Sequence, residues 1–176
     1  MSLKELTAEA HKQAETQPFV KKIFSGNITK EEYATYLYNQ YAAYEILESH
    51  ALIVGLLNDL PGIQRAAKLL EDFKELWLDD REMPAIAYAT LLYKEHINNI
   101  SNDPKKLMAH LYVRHMGDLY GGQMIAKQIP GSANCYKFDN PDALKTAIRA
   151  KLDDSLAEEA LVCFGFATRL FEELEK

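Results

Sequence analysis

Residues 115–124 read HMGDLYGGQM, set between PKKLMAHLYVR (104–114) and QMIAKQI (123–129). The flanks are rich in strong helix formers, so the whole run predicts a helix. Yet Gly117, Gly121 and Gly122 fall inside it. Each glycine in a helix interior costs roughly 0.5–1 kcal/mol relative to alanine, and the three together about 2–3 kcal/mol. At 100° per residue, Gly117 and Gly121 lie within about 40° of each other on one face, with Gly122 flanking them. That face has no side chains. It suits either close packing on another helix or a flat ligand lying against the backbone, and it also permits a bend. Asp118, between the glycines, weighs toward the ligand, because tight packing on an apolar helix would bury its carboxylate at a cost of several kcal/mol.

Outward from this stretch the chain reads as helices with almost no strands. Residues 3–16 form a short amphipathic helix. Thr29 and Glu32 make a capping box for a long helix running to about Leu57. Pro61, Pro84, Pro104 and Pro141 each suit the first turn of a helix, with Asp103 and Asn140 as caps before two of them. A second box, Ser155 with Glu158, opens a last helix to Lys176. The longest irregular segment is PGSANCYKFDN, 130–140. With no repeat, linker or low-complexity tract, the expectation is an all-α chain, one compact domain of about seven helices over residues 1–176.

Composition bounds the function. The chain has 176 residues, is 48% hydrophobic and 26% charged, and so can bury a core unaided. No stretch approaches the ~18 apolar residues of a membrane span, and MSLKELTAEAHKQAE (1–15) has no signal-peptide core. A cytoplasmic location without membrane attachment is expected. Cys135 and Cys163 lack metal-ligand or disulfide-framework spacing and read as reduced thiols. A net charge of −6 argues against nucleic acid as a partner.

A flat macrocycle carrying a metal would need an axial ligand, and there are five histidines. His110 lies about 10 Å along the axis from Gly117 and cannot sit over the same point. His115 points to the other side, while His50 and His96 read as ordinary partly buried or surface residues. His11 stands on a separate helix with Glu15 at i+4, placed to accept a hydrogen bond from the ring nitrogen that does not bind metal. A structural role and a ligating role both fit it. A ferritin-like di-iron bundle is disfavoured, since no histidine has a glutamate three residues before it. Lys145 and Arg149, at i and i+4, present two donors to one side, suited to two carboxylates or to solvent.

These residues carry a family resemblance. YVRHMGDLYGGQM (112–124) resembles the heme oxygenase signature. LTAEAHKQAETQPFV (6–20) resembles that family's proximal-helix motif, and LKTAIRAKLDDSL (144–156) followed by FATRLFEEL (166–174) falls in the right order near the carboxyl end. The resemblance implies heme, as cofactor and substrate, sandwiched between a proximal helix and a glycine-bent distal one. By it His11 is the axial iron ligand and Glu15 its partner. Gly117, Gly121 and Gly122 belong to the distal helix, Asp118 is the distal carboxylate that holds ordered water, and Arg114 joins the distal polar network. Tyr112 matches a position near the propionate edge, and Lys4, Lys145 and Arg149 match the basic residues that hold the propionates. The chain departs from the family pattern at Tyr120, where a small hydroxyl residue is common, and at His115, where an aromatic or aliphatic residue is more familiar. Tyr120 bears on the shape of the distal pocket; His115 faces away.

The implied reaction opens heme at the α-meso carbon to biliverdin IXα, carbon monoxide and ferrous iron, with O2 as co-substrate. The same fold could instead bind heme without degrading it, as a carrier or sensor. Electrons would come from a ferredoxin or another donor docking on a local basic patch, for which Lys4, Lys12, Lys21, Lys22, Lys145, Arg149 and Lys151 are candidates. A bilin reductase is a further expected partner, and the chain is expected to be monomeric.

Overall fold

The computed structural model describes residues 1–78 and 82–176. Among them there are nine α-helical segments and no strand: α1 (Leu3–Glu15), α2 (Pro18–Ser25), α3 (Lys30–Ile53), α4 (Ala66–Leu76), α5 (Tyr88–Asn99), α6 (Pro104–Leu119), α7 (Gly121–Ile125), α8 (Pro141–Arg149) and α9 (Ala157–Glu175). The all-α expectation holds. The two segments beyond the seven anticipated are α2, which Pro18 opens and Gly26 closes with φ 76°, and α7, which exists because α6 breaks at Tyr120 (φ −106°, ψ −79°).

The long helix α3 starts as its sequence dictates. Thr29 Oγ1 accepts from the Glu32 N–H at 3.1 Å, and Glu32 Oε1 accepts from the Thr29 N–H at 3.0 Å. It stops at Ile53, four residues short of Leu57, because Gly55 adopts φ +82° and the Leu56 and Gly55 amides turn back to the Ala51 and Leu52 carbonyls. Pro104 and Pro141 do open helices, with Asp103 accepting from the Lys106 N–H at 3.1 Å. Asn140 sits at the cap position of α8 but makes no side-chain cap bond.

Other boundaries differ from the sequence reading. Pro61 begins no helix: with Gly62 at φ +82° and the Ile63 amide on the Leu60 carbonyl it forms a type II turn. Pro84 lies in irregular chain ahead of α5, and among the described residues 54–65 forms a longer unbroken non-helical run than any part of 130–140. The 130–140 segment contains a 3-10 turn at Asn134–Tyr136. Ser155 does not cap α9. It donates to Asp153, whose carboxylate caps a 3-10 turn at Asp154–Leu156, and the α-helix begins only at Ala157.

Several helices lacking a local cap take one from elsewhere in the fold. Glu48, on α3 and 2% exposed, accepts from the Arg65 and Ala66 amides (2.7 and 3.0 Å) at the start of α4. Asn39 and Glu173 receive the Ala87, Tyr88 and Ala89 amides at the start of α5. Asp72 takes the Asn134 and Cys135 amides. Each buried carboxylate meets the donor-rich end of a helix or turn, where negative charge is favoured. Helix α9 packs against α1, α2, α5 and α6. It thereby holds the first helix and the glycine-bearing helix on one support.

Candidate functional site

Helix α6 carries Gly117 in its last turn, and Gly121 opens α7 after the break at Tyr120. A Cβ built at either glycine would meet no heavy atom within 4 Å. The helix-packing reading therefore fails for both. Gly122 differs, because a Cβ there would come within 2.5 Å of the Tyr136 ring. It is glycine for close packing on the core and does not extend the bare face, a correction to its expected place with the other two. Replacing Gly117 with alanine is thus expected to stabilise the fold by about 0.5–1 kcal/mol, while Gly122→Ala destabilises it by at least about 1 kcal/mol. Urea denaturation of the two variants checks both signs.

Beside this bare ledge, Asp118 Oδ2 accepts the Tyr44 hydroxyl at 2.7 Å. Burial pushes the Asp118 carboxyl up to about 6, against the opposing pull of His115 and of the Tyr44 hydrogen bond. Burial, followed by the nearby Asp118 charge, holds the Tyr44 hydroxyl well above its ordinary range, so it stays a donor. Arg114 donates from Nε to the Tyr93 hydroxyl at 3.0 Å, and its guanidinium lies 4.2 Å from the centre of the Tyr93 ring. One of its terminal nitrogens is 3.5 Å from Gln40 Oε1, and Gln40 in turn donates to Tyr36 at 3.0 Å. A small cavity of about 10 Å³, room for one water, lies among Gln40, Thr90, Tyr93, Arg114 and Phe166.

Tyr36, Gln40, Tyr44 and Tyr93 went unnoticed in the sequence. The available signal was the spacing of Tyr36, Gln40 and Tyr44 at i, i+4 and i+8, which gives one face of α3 a polar edge.

His11 stands on α1, 61% exposed at its side chain, with Nε2 3.4 Å from Glu15 Oε2. Its ring stacks on Phe164 of α9, centroids 5.3 Å apart and planes 24° from parallel. The ring is thus oriented by an aromatic neighbour and a carboxylate, with its other nitrogen open for a ligand. His110 is fully buried, as is His115, whose Nε2 meets Glu48 at 2.8 Å. His115 therefore belongs to the junction of α3, α4 and α6, and its ring also packs on Tyr44, centroids 5.0 Å apart, so it stands behind the hydroxyl that holds Asp118 rather than simply facing away.

Lys145 and Arg149 both lie against the Tyr120 ring, Nζ at 4.3 Å and Cζ at 5.4 Å from its centre. Tyr120 is 42% exposed. It leans toward α8 and bridges the glycine break to the cationic pair. Lys4 is exposed, and Tyr112 is partly buried against the core cluster that includes Leu144 and Ile148 of α8. Of the proposed basic patch, Lys22 is paired with Glu32 (2.7 Å) and Glu175 (3.7 Å), and Lys151 with Asp59 (2.7 Å). Lys12 and Lys21 are exposed. Cys135 and Cys163 are both buried and free, in accord with the reading as reduced thiols.

A bare glycine face at a helix break, beside a carboxylate held by a tyrosine hydroxyl, suits a helical protein shaped for a ligand. Comparison with known proteins gives the class a name. The family profile described as Heme oxygenase matches residues 1–160. The chain is 31% identical to heme oxygenase 2 of Mus musculus, over 99% of its own length and 64% of the relative's. It is 31% identical to a heme oxygenase of Porphyra purpurea, over 98% of this chain and 84% of that one. The solved structure of heme oxygenase-1 from the cyanobacterium Synechocystis, in complex with heme, superposes with a TM-score of 0.85 at 26% identity, covering 98% of this chain and 90% of that one. The chain belongs to the heme oxygenase family. It spans about 64% of the length of the mammalian relatives it matches.

Proposed function

We propose that this chain binds heme as its substrate and opens it at the α-meso carbon, giving biliverdin IXα, carbon monoxide and ferrous iron with O2 and electrons from a partner. The observation that carries the reading is the bare ledge at Gly117 and Gly121, with no atom to fill the side-chain positions, beside a half-buried carboxylate held by the Tyr44 hydroxyl. The residues fit a heme. The ledge admits a planar ring edge-close to backbone, His11 offers an imidazole nitrogen to iron, and Lys145 with Arg149 offers two cations to the propionates. When bound, the heme iron supplies the site for O2 activation, and a neutral imidazole promotes O–O cleavage less than a thiolate would.

The chain's own residues then have separate tasks. Glu15 orients the His11 ring, and Phe164 backs it. Asp118, held by Tyr44, accepts hydrogen bonds from water and delivers protons through it, while Arg114 and Gln40 complete the polar wall. The bare backbone at Gly117 and Gly121 would let a bound ring and its oxygen approach the helix closely. Lys4, Lys12, Lys21, Lys145 and Arg149 remain the surface for a ferredoxin-like acidic donor, since Lys22 and Lys151 are already engaged by carboxylates. No helix of the described residues is long and apolar enough to cross a membrane. We expect action in the cytoplasm as a monomer, with the product passing to a bilin-reducing enzyme.

Titrating the chain with hemin tests the reading: a shifted, saturable Soret band is expected, and a spectrum that stays that of free hemin contradicts it. Reversing both Lys145 and Arg149 to glutamate is expected to weaken heme binding roughly tenfold. It should also let the ring rotate, so that biliverdin isomers other than IXα appear in chromatography of the product. A single isomer at unchanged affinity would return the pair to a role on the Tyr120 ring alone.

A further inference from the structure

Away from the glycine ledge, His96 of α5, His110 of α6 and Glu159 of α9 converge on one point. His96 Nε2 lies 2.7 Å and His110 Nε2 2.8 Å from the same oxygen, Glu159 Oε2. The three ligand atoms all lie within 4.8 Å of one another. We propose that His96, His110 and Glu159 form a binding site for a divalent first-row transition ion of the zinc type, separate from the heme site.

The chemistry is that of two imidazoles and one carboxylate, a set that suits zinc and its neighbours and leaves a further position for water. A tetrahedral ion with ligands at about 2.0–2.1 Å requires donor atoms roughly 3.3 Å apart. To admit it, each histidine nitrogen would move about half an ångström away from the carboxylate oxygen, and the two nitrogens, now within 4.8 Å of each other, would settle at the same roughly 3.3 Å spacing. Three different helices supply the donors, so the site exists only in the folded chain.

The surroundings match what a histidine ligand needs. The other ring nitrogen of His110, Nδ1, is 2.8 Å from the Tyr93 hydroxyl, which fixes the ring's orientation. The His96 and His110 rings sit 5.6 Å apart, and Phe166 packs on His96 at 5.5 Å. His110 is buried completely, but His96 is 25% and Glu159 11% exposed, which gives an ion a way in.

An ion would also change a hydrogen bond shared with the first site. With both Nε2 atoms donating to Glu159, His110 Nδ1 accepts from the Tyr93 hydroxyl. An ion on Nε2 moves the ring proton to Nδ1, and His110 becomes the donor to the same oxygen that receives Arg114.

The test uses the full, tag-free chain, with and without hemin. Zn2+ is titrated by calorimetry, Co2+ by its visible absorption, and the tautomer of His110 is read by nitrogen NMR. The expected result is saturable binding of a single ion and a His110 proton that shifts from Nε2 to Nδ1. Affinity should fall at least roughly tenfold in His96→Gln and in Glu159→Gln, and stay unchanged in His11→Gln. Melting curves verify that the variants fold; the partly exposed His96 keeps that variant informative if Glu159→Gln does not. Absence of binding at millimolar Zn2+, binding untouched by His96→Gln, or binding removed by His11→Gln would each overturn the proposal and leave the cluster a hydrogen-bonded strut.

Discussion

His11→Ala is expected to retain heme while losing the histidine-ligated iron spectrum and at least about a hundredfold of turnover. The side chain is 61% exposed and touches Phe164 and Glu15, so its removal should change folding stability by less than about 0.5 kcal/mol. Most of the affinity for the macrocycle comes from apolar burial and from the propionate contacts, which the variant keeps. Added imidazole should fill the vacated space and restore part of both spectrum and activity. Glu15→Ala removes only the group that orients the ring and should lose far less, about tenfold. If His11→Ala kept a native spectrum and full turnover while His110→Ala lost them, the axial ligand would lie on α6. The fully buried position of His110, occupied by Tyr93 and Glu159, makes that outcome contrary to the geometry.

Asp118→Ala is expected to bind heme nearly as well as the native chain and yet yield at least about a hundredfold less biliverdin, with peroxidase-like oxidation of an added phenol appearing instead. The carboxylate is held by the Tyr44 hydroxyl, which places it to organise water rather than to hold the ring. Its pH behaviour gives a second handle. Because burial raises this carboxyl to about 6, native biliverdin formation should fall as pH drops through that value, and an Asp118→Asn variant should lack this inflection.

Stability moves in the other direction. A folded-state value above the ordinary 3.8 means that the group's contribution is complete below 3.8 and lost as pH rises through about 6. Asp118→Asn should therefore stabilise the fold at pH 8, by no more than about 3 kcal/mol, and have little effect at pH 3. Normal biliverdin yield from Asp118→Ala would remove the carboxylate from the proposed chemistry.

What was legible in the sequence depended on how local its cause was. The Thr29 and Glu32 box and the Asp103 cap act within three residues, and both stand in the structure as read. The starts of α4 and α5 were misplaced at Pro61 and Pro84 because their caps are not local. Glu48, Asn39 and Glu173 come from 17, 48 and 84 or 85 positions away, and no pattern near the helix start announces them. Gly55 and the Pro61–Gly62 pair were local signals of a helix end and a turn that outweighed the apolar run around them.

The site divides in the same way. The glycine pair, Asp118 and His11 announce themselves by breaking helix rules or by their spacing, whereas Arg114 came only through the family resemblance. Tyr44 and Tyr93 do not, because a tyrosine on an apolar helix face reads as core until its hydroxyl is seen to meet Asp118 or Arg114. Gly122 shows the converse error. It belongs to the glycine run in sequence but packs on Tyr136 in space.

The central claim is that the bare glycine ledge holds heme for ring opening, not merely for carriage. The most direct measurement is the absorption spectrum of the hemin-loaded chain under air after a reduced ferredoxin or ascorbate is supplied, with the product extracted and chromatographed. The account predicts that the Soret band collapses while a bilin band rises, and that the pigment elutes as biliverdin IXα with carbon monoxide released in equal amount. A Soret band that persists through repeated reduction and reoxidation, with no bilin formed, would contradict it and make the chain a heme carrier or sensor.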